Sequence, residues 1–288
     1  MKEDTAEDPY VVHRSLLFTV AYEMLGSAAD AEDVLQESWL RWADVDRSRV
    51  GDPRAYLVRV VTRQSLNRLR TLARRREEYV GEWLPEPLLT APDVAEDVEL
   101  ADSVSMALLT VLETLGPTER AVFVLREVFE TPYGEIAEAV GKSVTAVRQI
   151  ARRARDHVAA RRPRVEVSRS EQQAVVERFL AALRTGRVQD LLDVMAPDVV
   201  FVADGGGLAP ASRVPVHGAA RVAALLAGPG RLVSALWLNG APAARVEVNG
   251  RVAAATFVVR DGRVTHIHAV ANPEKLTRLD TSPTRLAR

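Results

Sequence analysis

Two stretches of this chain carry arginine on a helical period, and a helix so loaded can bury only one narrow side. Residues 53–76 (PRAYLVRVVTRQSLNRLRTLARRR) hold eight arginines and no acid. Residues 142–164 (KSVTAVRQIARRARDHVAARRPR) hold eight basic residues, opposed only by Asp156. Each stretch must lie at a surface, its few apolar residues turned inward and its charge outward. The whole chain has a net charge of −1, so this basicity is local to two places. Two basic helices in a near-neutral chain point to a polyanion gripped at two sites, as nucleic acid is.

The 288 residues suffice for two or three domains with cores of their own. Hydrophobic content of 47% and charged content of 27% are ordinary for a soluble globular protein. With no cysteine, disulfides and thiolate-ligated zinc are excluded, and a zinc finger with them. No apolar run approaches the roughly 18–20 residues that span a bilayer, and the acidic start MKEDTAEDPY is no signal peptide. A cytoplasmic location, with no membrane partner, is expected.

Up to residue 163 the pattern is all-helical. Helices are expected near 10–25, from 28–31 onward, from Pro53, and near 96–115, 117–130, 132–140 and 143–160. Residues 77–102 invert the charge, with nine acids and no base, and contain WLPEPL (residues 83–88). Two prolines so close make that hexapeptide extended rather than helical, a linker with an apolar anchor. Beyond residue 163 two helices (171–184 and 188–195) precede alternating β-branched runs. Asn249-Gly250 and Asp261-Gly262 are hairpin turns and divide 244–270 into three strands of an antiparallel meander. The expected fold class is multidomain: two all-α domains followed by an α+β domain with a curved antiparallel sheet. The boundaries fall at 8–78, 79–98 (linker), 99–162 and 168–280.

Residues 133–155 have the spacing of a helix-turn-helix. Ile136, Ala137 and Val140 point inward, Gly141 makes the turn, Val144 and Val147 continue the core, and Val147, Ile150, Ala151, Ala154 and Val158 form one stripe. Ser143, Thr145, Arg148, Gln149, Arg152, Arg153 and Arg155 fall outside that stripe. The early ones suit base edges in a major groove and the later arginines suit phosphates. On the first arginine helix Leu57, Val61 and Leu72 face a core. Arg59, Arg63, Arg70 and Arg74 line the other face, with Asn67, Gln64 and Ser65 for hydrogen bonds to bases.

These residues together resemble the extracytoplasmic-function (ECF) sigma factors of the sigma-70 type over residues 10–160. Asp30-Ala31-Glu32-Asp33-Val34-Leu35-Gln36-Glu37 resembles the family's DAEDxxQE helix. The resemblance implies docking of Asp30, Asp33, Gln36, Glu37, Trp39 and Leu40 on the β′ clamp of core RNA polymerase. PRAYLVRVVTRQSLNRLR resembles the helix that reads and opens the −10 promoter element. The polar loop at 44–52 sits where the family captures a flipped-out base. Leu115-Gly116-Pro117-Thr118-Glu119-Arg120 resembles the start of the domain that reads the −35 element and touches the β flap.

WLPEPL (Trp83, Leu84, Pro85, Glu86, Pro87, Leu88), DGGG (Asp204, Gly205, Gly206, Gly207) and NPEKL (Asn272, Pro273, Glu274, Lys275, Leu276) resemble the subgroup with a SnoaL-like C-terminal extension, a cone-shaped α+β domain. The resemblance implies promoter DNA and core polymerase as partners, with the fused domain regulating in cis in place of a separate anti-sigma protein. The three motifs are expected to form one joint, with the linker packed on the glycines and Lys275 facing one of the linker's acids.

Relatives of such cones are polyketide cyclases and ketosteroid isomerases, whose chemistry needs a general base of raised pKa in the cone. Asp204, His217, His266 and His268 are the available groups. His266 and His268 share a strand face but have no third metal ligand at matching spacing. The Gly205–Gly207 run lacks the lysine and the following helix of a phosphate loop. The expectation is therefore no catalysis, no metal and no cofactor, and a small-molecule ligand in the cone is left open. The alternative reading is a stand-alone helix-turn-helix regulator that senses a ligand through its C-terminal domain.

Overall fold

Local chemistry sets each helix end in the first half of the chain. In the computed structural model, which describes residues 8–162 and 167–288 except the side chains of 73–77 and 95–96, Asp8 caps the first helix. Its carboxylate accepts from the Tyr10 amide, and α1 (Pro9–Leu25) closes at Gly26 in the left-handed conformation, φ 68°. Ser27 caps α2 (Ala28–Ala43) by accepting from Asp30 N. Asp52 accepts from Ala55 N at the start of α3 (Pro53–Glu77). Further on come α4 (Val98–Ser103), α5 (Met106–Leu112) and α6 (Pro117–Phe123), the last running into one π turn at Val124–Val128. α7 (Tyr133–Val140) and α8 (Val144–Arg161) meet at Gly141, φ 67°, which makes the helix-turn-helix bend.

The helix expected over 96–115 is broken. A 3₁₀ turn (Pro92–Glu96), α4 and α5 replace it, and the Ser105 hydroxyl restarts the chain by accepting from Leu108 N. The WLPEPL segment is non-helical as its prolines require.

The last part is α9 (Arg169–Thr185), α10 (Val188–Val194), β1 (Met195–Asp204), β2 (Val216–His217), α11 (Ala219–Leu226), β3 (Arg231–Leu238), β4 (Ala241–Val248), β5 (Arg251–Arg260) and β6 (Arg263–Val270). The sheet order is β2-β1-β6-β5-β4-β3. The meander has four strands rather than three, because Asn239-Gly240 (φ 54° and 71°) is a hairpin turn of the same kind as the two expected. Three reversals bring β6 back beside β1 in parallel, so the otherwise antiparallel sheet contains one parallel pair. Helix α11 was not expected from the sequence pattern.

Side-chain alternation gives this sheet two distinct faces. Phe201, Phe257, Val264 and Ile267 face the helices and pack with Val175, Phe179 and Leu183 of α9. His266 pairs across the strands with Val200 and Val258, His268 with Val202 and Thr256, and all of these lie on the opposite face. On that face a smaller cluster of Leu238, Ala243, Ala254 and Leu279 is joined by Leu89 and Leu276. Segments on either side of the domain thus cover the sheet face that the helices leave bare.

Two compact units result. One comprises Met1–Arg75, Val111–Arg161 and Arg285–Arg288, and the other Arg76–Thr110 and Arg162–Thr284. The acidic linker and α4 therefore belong with the sheet.

The buried imidazole of His268 predicts acid sensitivity of the second unit. Desolvation, then the neighbouring His266, pushes its pKa down to about 4. In an unfolded chain the same group titrates near 6.5, so between about 6.5 and 4 the unfolded state binds more protons. Stability contributed by neutral His268 is present above that window and falls with pH through it, by roughly 3 kcal/mol in full. Urea unfolding at pH 7.5, 6.5 and 5.5 should show His268→Leu losing less stability on acidification than the wild type. Parallel losses in the two proteins would refute this.

Candidate nucleic-acid interface and the linker joint

On α3 Leu57 and Val61 are fully buried, while Arg63, Asn67 and Arg70 are exposed on the other side and Arg59 is partly exposed. Gln64 does not belong with them. It is buried, and its amide donates to Glu37 at 3.2 Å, joining α3 to α2; Ser65 beside it is fully buried as well and does not face outward. Arg74 lies outside the described side chains. Arg68, on the same helix, is a structural arginine: its guanidinium reaches Asp30 at 2.6 Å and Asp33 at 3.0 Å.

On α8 the expected stripe of Val147, Ile150, Ala151, Ala154 and Val158 is buried, whereas Val144, expected to continue the core, is exposed at the first position of the helix. Thr145, Arg148, Gln149, Arg152, Arg153 and Arg155 are all exposed, so the expected reading face is open to solvent. Ser143 caps the helix, accepting from Ala146 N at 3.2 Å. Arg155 forms a two-point pair with Glu127 (2.9 and 3.2 Å), and the Arg148 guanidinium lies 5.6 Å from the Tyr133 ring centroid. Exposed pairs of this kind are worth about 0–1 kcal/mol, so a phosphate can displace the glutamate.

Along α2, Asp33, Gln36, Glu37 and Leu40 are exposed at i, i+3, i+4 and i+7, one continuous face. Trp39 borders it, edge-on to Tyr10 at 5.0 Å, and is 37% exposed. Asp30 is turned toward Arg68 instead. Of the expected polymerase-binding residues, Asp30, Asp33 and Glu37 thus also brace α3, through Arg68 and Gln64, while Gln36, Trp39 and Leu40 lie outward.

In the first unit α1 is buried on every side from Leu16 to Leu25. Arg120 of α6 is almost wholly buried and donates from Nε to the Glu23 carbonyl (2.9 Å) and from a terminal nitrogen to Glu113 (2.6 Å). On the unit's surface Glu138 of α7 accepts from Arg59 at 2.7 Å, and its carbonyl accepts from Arg63 at 2.8 Å. The two halves of this unit are thereby held together, and two arginines of the α3 face are occupied by α7.

The second unit contains the joint. Asp204, at the end of β1, is completely buried. One carboxylate oxygen accepts from the Tyr79 hydroxyl (2.6 Å), the other from Leu84 N (2.9 Å) and Lys275 Nζ (2.7 Å). Lys275 also donates to the Leu84 carbonyl (2.6 Å) and lies 3.2 Å from the Trp83 ring centroid, a cation–π contact. Tyr79 meets Trp83 edge-on at 4.6 Å. Asn272 donates from its amide to the Tyr79 hydroxyl (2.8 Å) and caps the 3₁₀ turn Pro273–Lys275 by accepting from Glu274 N. Gly206, φ 58°, sits where any side chain would overlap the Asn272 amide and the Tyr79 hydroxyl, and Gly207 abuts Val80. Gly205 lies against the Ala209 carbonyl. Leu84, Pro85, Glu86, Pro87 and Leu88 are buried.

Linker, glycine run and C-terminal segment therefore do form one joint. The partner expected for Lys275 is corrected: its carboxylate is Asp204 of the sheet, not an acid of the linker. A buried carboxylate needs a cation, and among the described residues Lys275 supplies it. Two residues of this unit escaped the sequence reading. Tyr79 stands in the acidic stretch with no periodic signal. Asn239 belongs to a turn whose Asn-Gly chemistry was readable but was not recognised. Burial, then its bond to Asp204, drives the Tyr79 hydroxyl's pKa up, so it stays a donor.

Asp204, His217, His266 and His268 all lie off the helix-lined side of the sheet. Asp204 is engaged in the joint, and the register of Val200 with His217 and His266 puts both histidines on the outer face. Among the described residues the helix-facing cluster consists of apolar side chains.

Against known proteins, residues 10–75 match the Sigma-70 region 2 family profile and residues 105–158 the Sigma-70, region 4 profile. The chain is 37% identical over 284 residues to the ECF RNA polymerase sigma factor SigJ of Mycobacterium tuberculosis, covering 92% of this chain and 91% of that one. It is 33% identical over 201 residues, 69% of each chain, to the probable ECF RNA polymerase sigma factor SigI of the same species. The crystal structure of Mycobacterium tuberculosis SigJ superposes with a TM-score of 0.74 at 36% identity, over 92% of this chain and 96% of that one. Fold and site define a sigma-70-type protein with a mixed α+β C-terminal domain. The chain belongs to the extracytoplasmic-function RNA polymerase sigma factors.

The joint makes a stability prediction. Lys275→Met leaves the Asp204 carboxylate buried without its cation and should destabilise the second unit by about 3–5 kcal/mol. Adding Asp204→Asn should restore much of that. A double-mutant cycle by urea unfolding checks it, and additive losses would refute the coupling.

Proposed function

We propose that this chain binds core RNA polymerase, recognises a two-part promoter and initiates transcription, its activity modulated in cis by the SnoaL-like domain. The observation that carries this reading is the pair of exposed basic faces, on α3 and α8, in regions of the chain that match the two sigma-70 profiles. Arg59, Arg63, Asn67 and Arg70, with Arg74, contact the −10 element. Thr145, Arg148, Gln149, Arg152, Arg153 and Arg155 contact the −35 element, the N-terminal members at base edges and the later arginines at phosphates.

The outer face of α2 (Asp33, Gln36, Glu37, Leu40, with Trp39) docks on the β′ clamp, and the region-4 domain on the β flap. The functional domains are those expected at 8–78, 99–162 and 168–280, except that the linker 79–98 and α4 work as part of the third. No helix among the described residues is long and apolar enough to cross a membrane, and the protein acts where polymerase and DNA are.

The SnoaL-like domain is not an enzyme in this reading. Of the groups considered for catalysis, Asp204 is held in the joint, and His217, His266 and His268 are set on the sheet's outer face, away from the helix-lined side. A small apolar ligand remains compatible with that side. The domain's work is mechanical: by binding the linker it fixes the path between the two promoter-reading regions, and so the spacing they accept. The stand-alone regulator is the weaker reading, because similarity to SigJ runs through both sigma regions and the extension alike.

Run-off transcription from the chain's own upstream DNA, with core polymerase and with or without the full chain, tests the proposal. Transcripts should appear only with the chain. Arg63→Ala combined with Arg70→Ala should lower the yield at least tenfold at physiological salt, since each lost phosphate contact weakens binding and flattens its salt dependence. DNA binding with no polymerase-dependent transcript would refute the sigma reading and favour the regulator.

A further inference from the structure

The C-terminal domain holds three two-residue hairpin turns of nearly identical chemistry, and one of them is used differently. Asn249-Gly250 and Asp261-Gly262 stand clear: a side chain added at Gly250 or Gly262 would meet nothing within 4 Å. Asn239-Gly240 is buried. Asn239 is 1% exposed, and a Cβ at Gly240 would lie 2.9 Å from Ala101, on α4.

Every polar group of Asn239 other than its carbonyl has a partner outside the sheet. Its backbone N–H donates to the Leu88 carbonyl (2.9 Å), and its side-chain oxygen accepts from Leu88 N (3.0 Å). Its side-chain amide donates to the carbonyl of Val104 (2.9 Å). Next to it Gly240 N donates to the Thr90 hydroxyl (3.1 Å), and Thr90 N to the Trp237 carbonyl (3.0 Å). One turn tip therefore clasps both faces of a linker peptide and the carbonyl that ends α4. Val104 is the residue before the region-4 match begins.

The 29 residues 76–104 separate the two sigma matches. Free, such a segment has a root-mean-square reach of roughly 30 Å and tolerates a broad range of spacings. Clasped at Leu84 by the Asp204–Lys275 joint and again at Leu88 and Val104 by Asn239, it has a defined length. The second clasp is the one nearer region 4.

We propose that Asn239 is a positioning residue for promoter recognition: the Asn239-Gly240 turn fixes the end of the linker and thereby sharpens the distance between −10 and −35 elements that the protein accepts. This rests on the reading of the C-terminal domain as the part that sets spacing, and assigns one end of that function to a turn outside all three motifs of the joint. It acts through the linker and touches neither DNA nor polymerase.

The test uses the full chain with core polymerase on a promoter series whose spacer is lengthened and shortened one base pair at a time. Asn239→Gly keeps the left-handed turn and deletes both side-chain bonds. Asn249→Gly makes the same change at the exposed turn. Asn239→Gly should lower the preference for the best spacer over its neighbours by at least fivefold, since each of the two lost hydrogen bonds carries roughly a factor of five, and speed hydrogen exchange at the Leu88 amide. Asn249→Gly should leave both unchanged.

If Asn239→Gly fails to fold, Asn239→Asp serves: it keeps the acceptor for Leu88 and turns an oxygen toward the Val104 carbonyl. An unchanged spacer profile in the Asn239 variant, while Trp83→Ala in the joint alters it, would overturn this inference and leave the proposed function standing. Profiles unchanged in both would overturn the two together. Equal effects at Asn239 and Asn249 would reduce the turn to general stability and overturn the inference.

Discussion

A carboxylate taken out of water must be given a cation and donors, and Asp204 collects all of its own from segments outside its strand. Tyr79 and Leu84 come from the linker, and Lys275 from the chain beyond the last strand. The ammonium then needs surroundings of its own, found in the Leu84 carbonyl and the face of Trp83. Remove either charged partner and the other is left buried without compensation, the costly case. That mutual requirement fixes an otherwise extended, proline-containing segment against the sheet and turns linker and domain into one body. Apolar burial of Leu84 and Leu88, each worth about 1.5–3 kcal/mol, adds strength but could be satisfied in several registers. The ion pair selects one.

What the sequence made legible was whatever depends on local periodicity. The apolar stripe of α8, the glycine bend at Gly141 and the exposed arginines opposite the stripe follow from spacing alone, because a helix-turn-helix encodes its faces within some twenty residues. The coming together of the three short motifs was carried by family resemblance rather than by physics read from the residues. What stayed hidden depended on partners distant in sequence. Nothing near Gln64 says that it faces Glu37 instead of DNA, and nothing near Lys275 says that its acid is Asp204. Helix α11 was missed for a different reason: it is short and apolar, the case in which helix and strand patterns look alike. The Asn239 turn was readable and overlooked, yet its burial was not readable, since Asn249 has the same chemistry and stays in solvent.

The arginines show why charge alone over-assigns. Arg68 lies on the promoter-facing helix by composition but is held by Asp30 and Asp33, and Arg120 is sealed between a helix-end carbonyl and Glu113. Partner and burial, not sequence position, separate the arginines that build the fold from those available to a phosphate.

The same distinction governs how the first unit can work. Elements named for positions −10 and −35 lie about 25 base pairs apart, roughly 85 Å along B-form DNA. While Arg59 pairs with Glu138 of the helix-turn-helix, the faces of α3 and α8 proposed to read DNA are within one compact unit and cannot span that distance. Promoter engagement at both elements therefore requires region 2 and region 4 to separate. The contacts that must break are unequal. The Arg59–Glu138 pair is exposed, worth about 0–1 kcal/mol, and phosphates compete for the same arginine. Arg120 and the buried half of α1 are the larger obstacle, because parting them uncovers apolar surface and a guanidinium that only a new partner can cover. DNA alone supplies charge for the first and nothing for the second. A large protein surface supplies both, which accords with the proposed role of core polymerase as the partner in promoter reading.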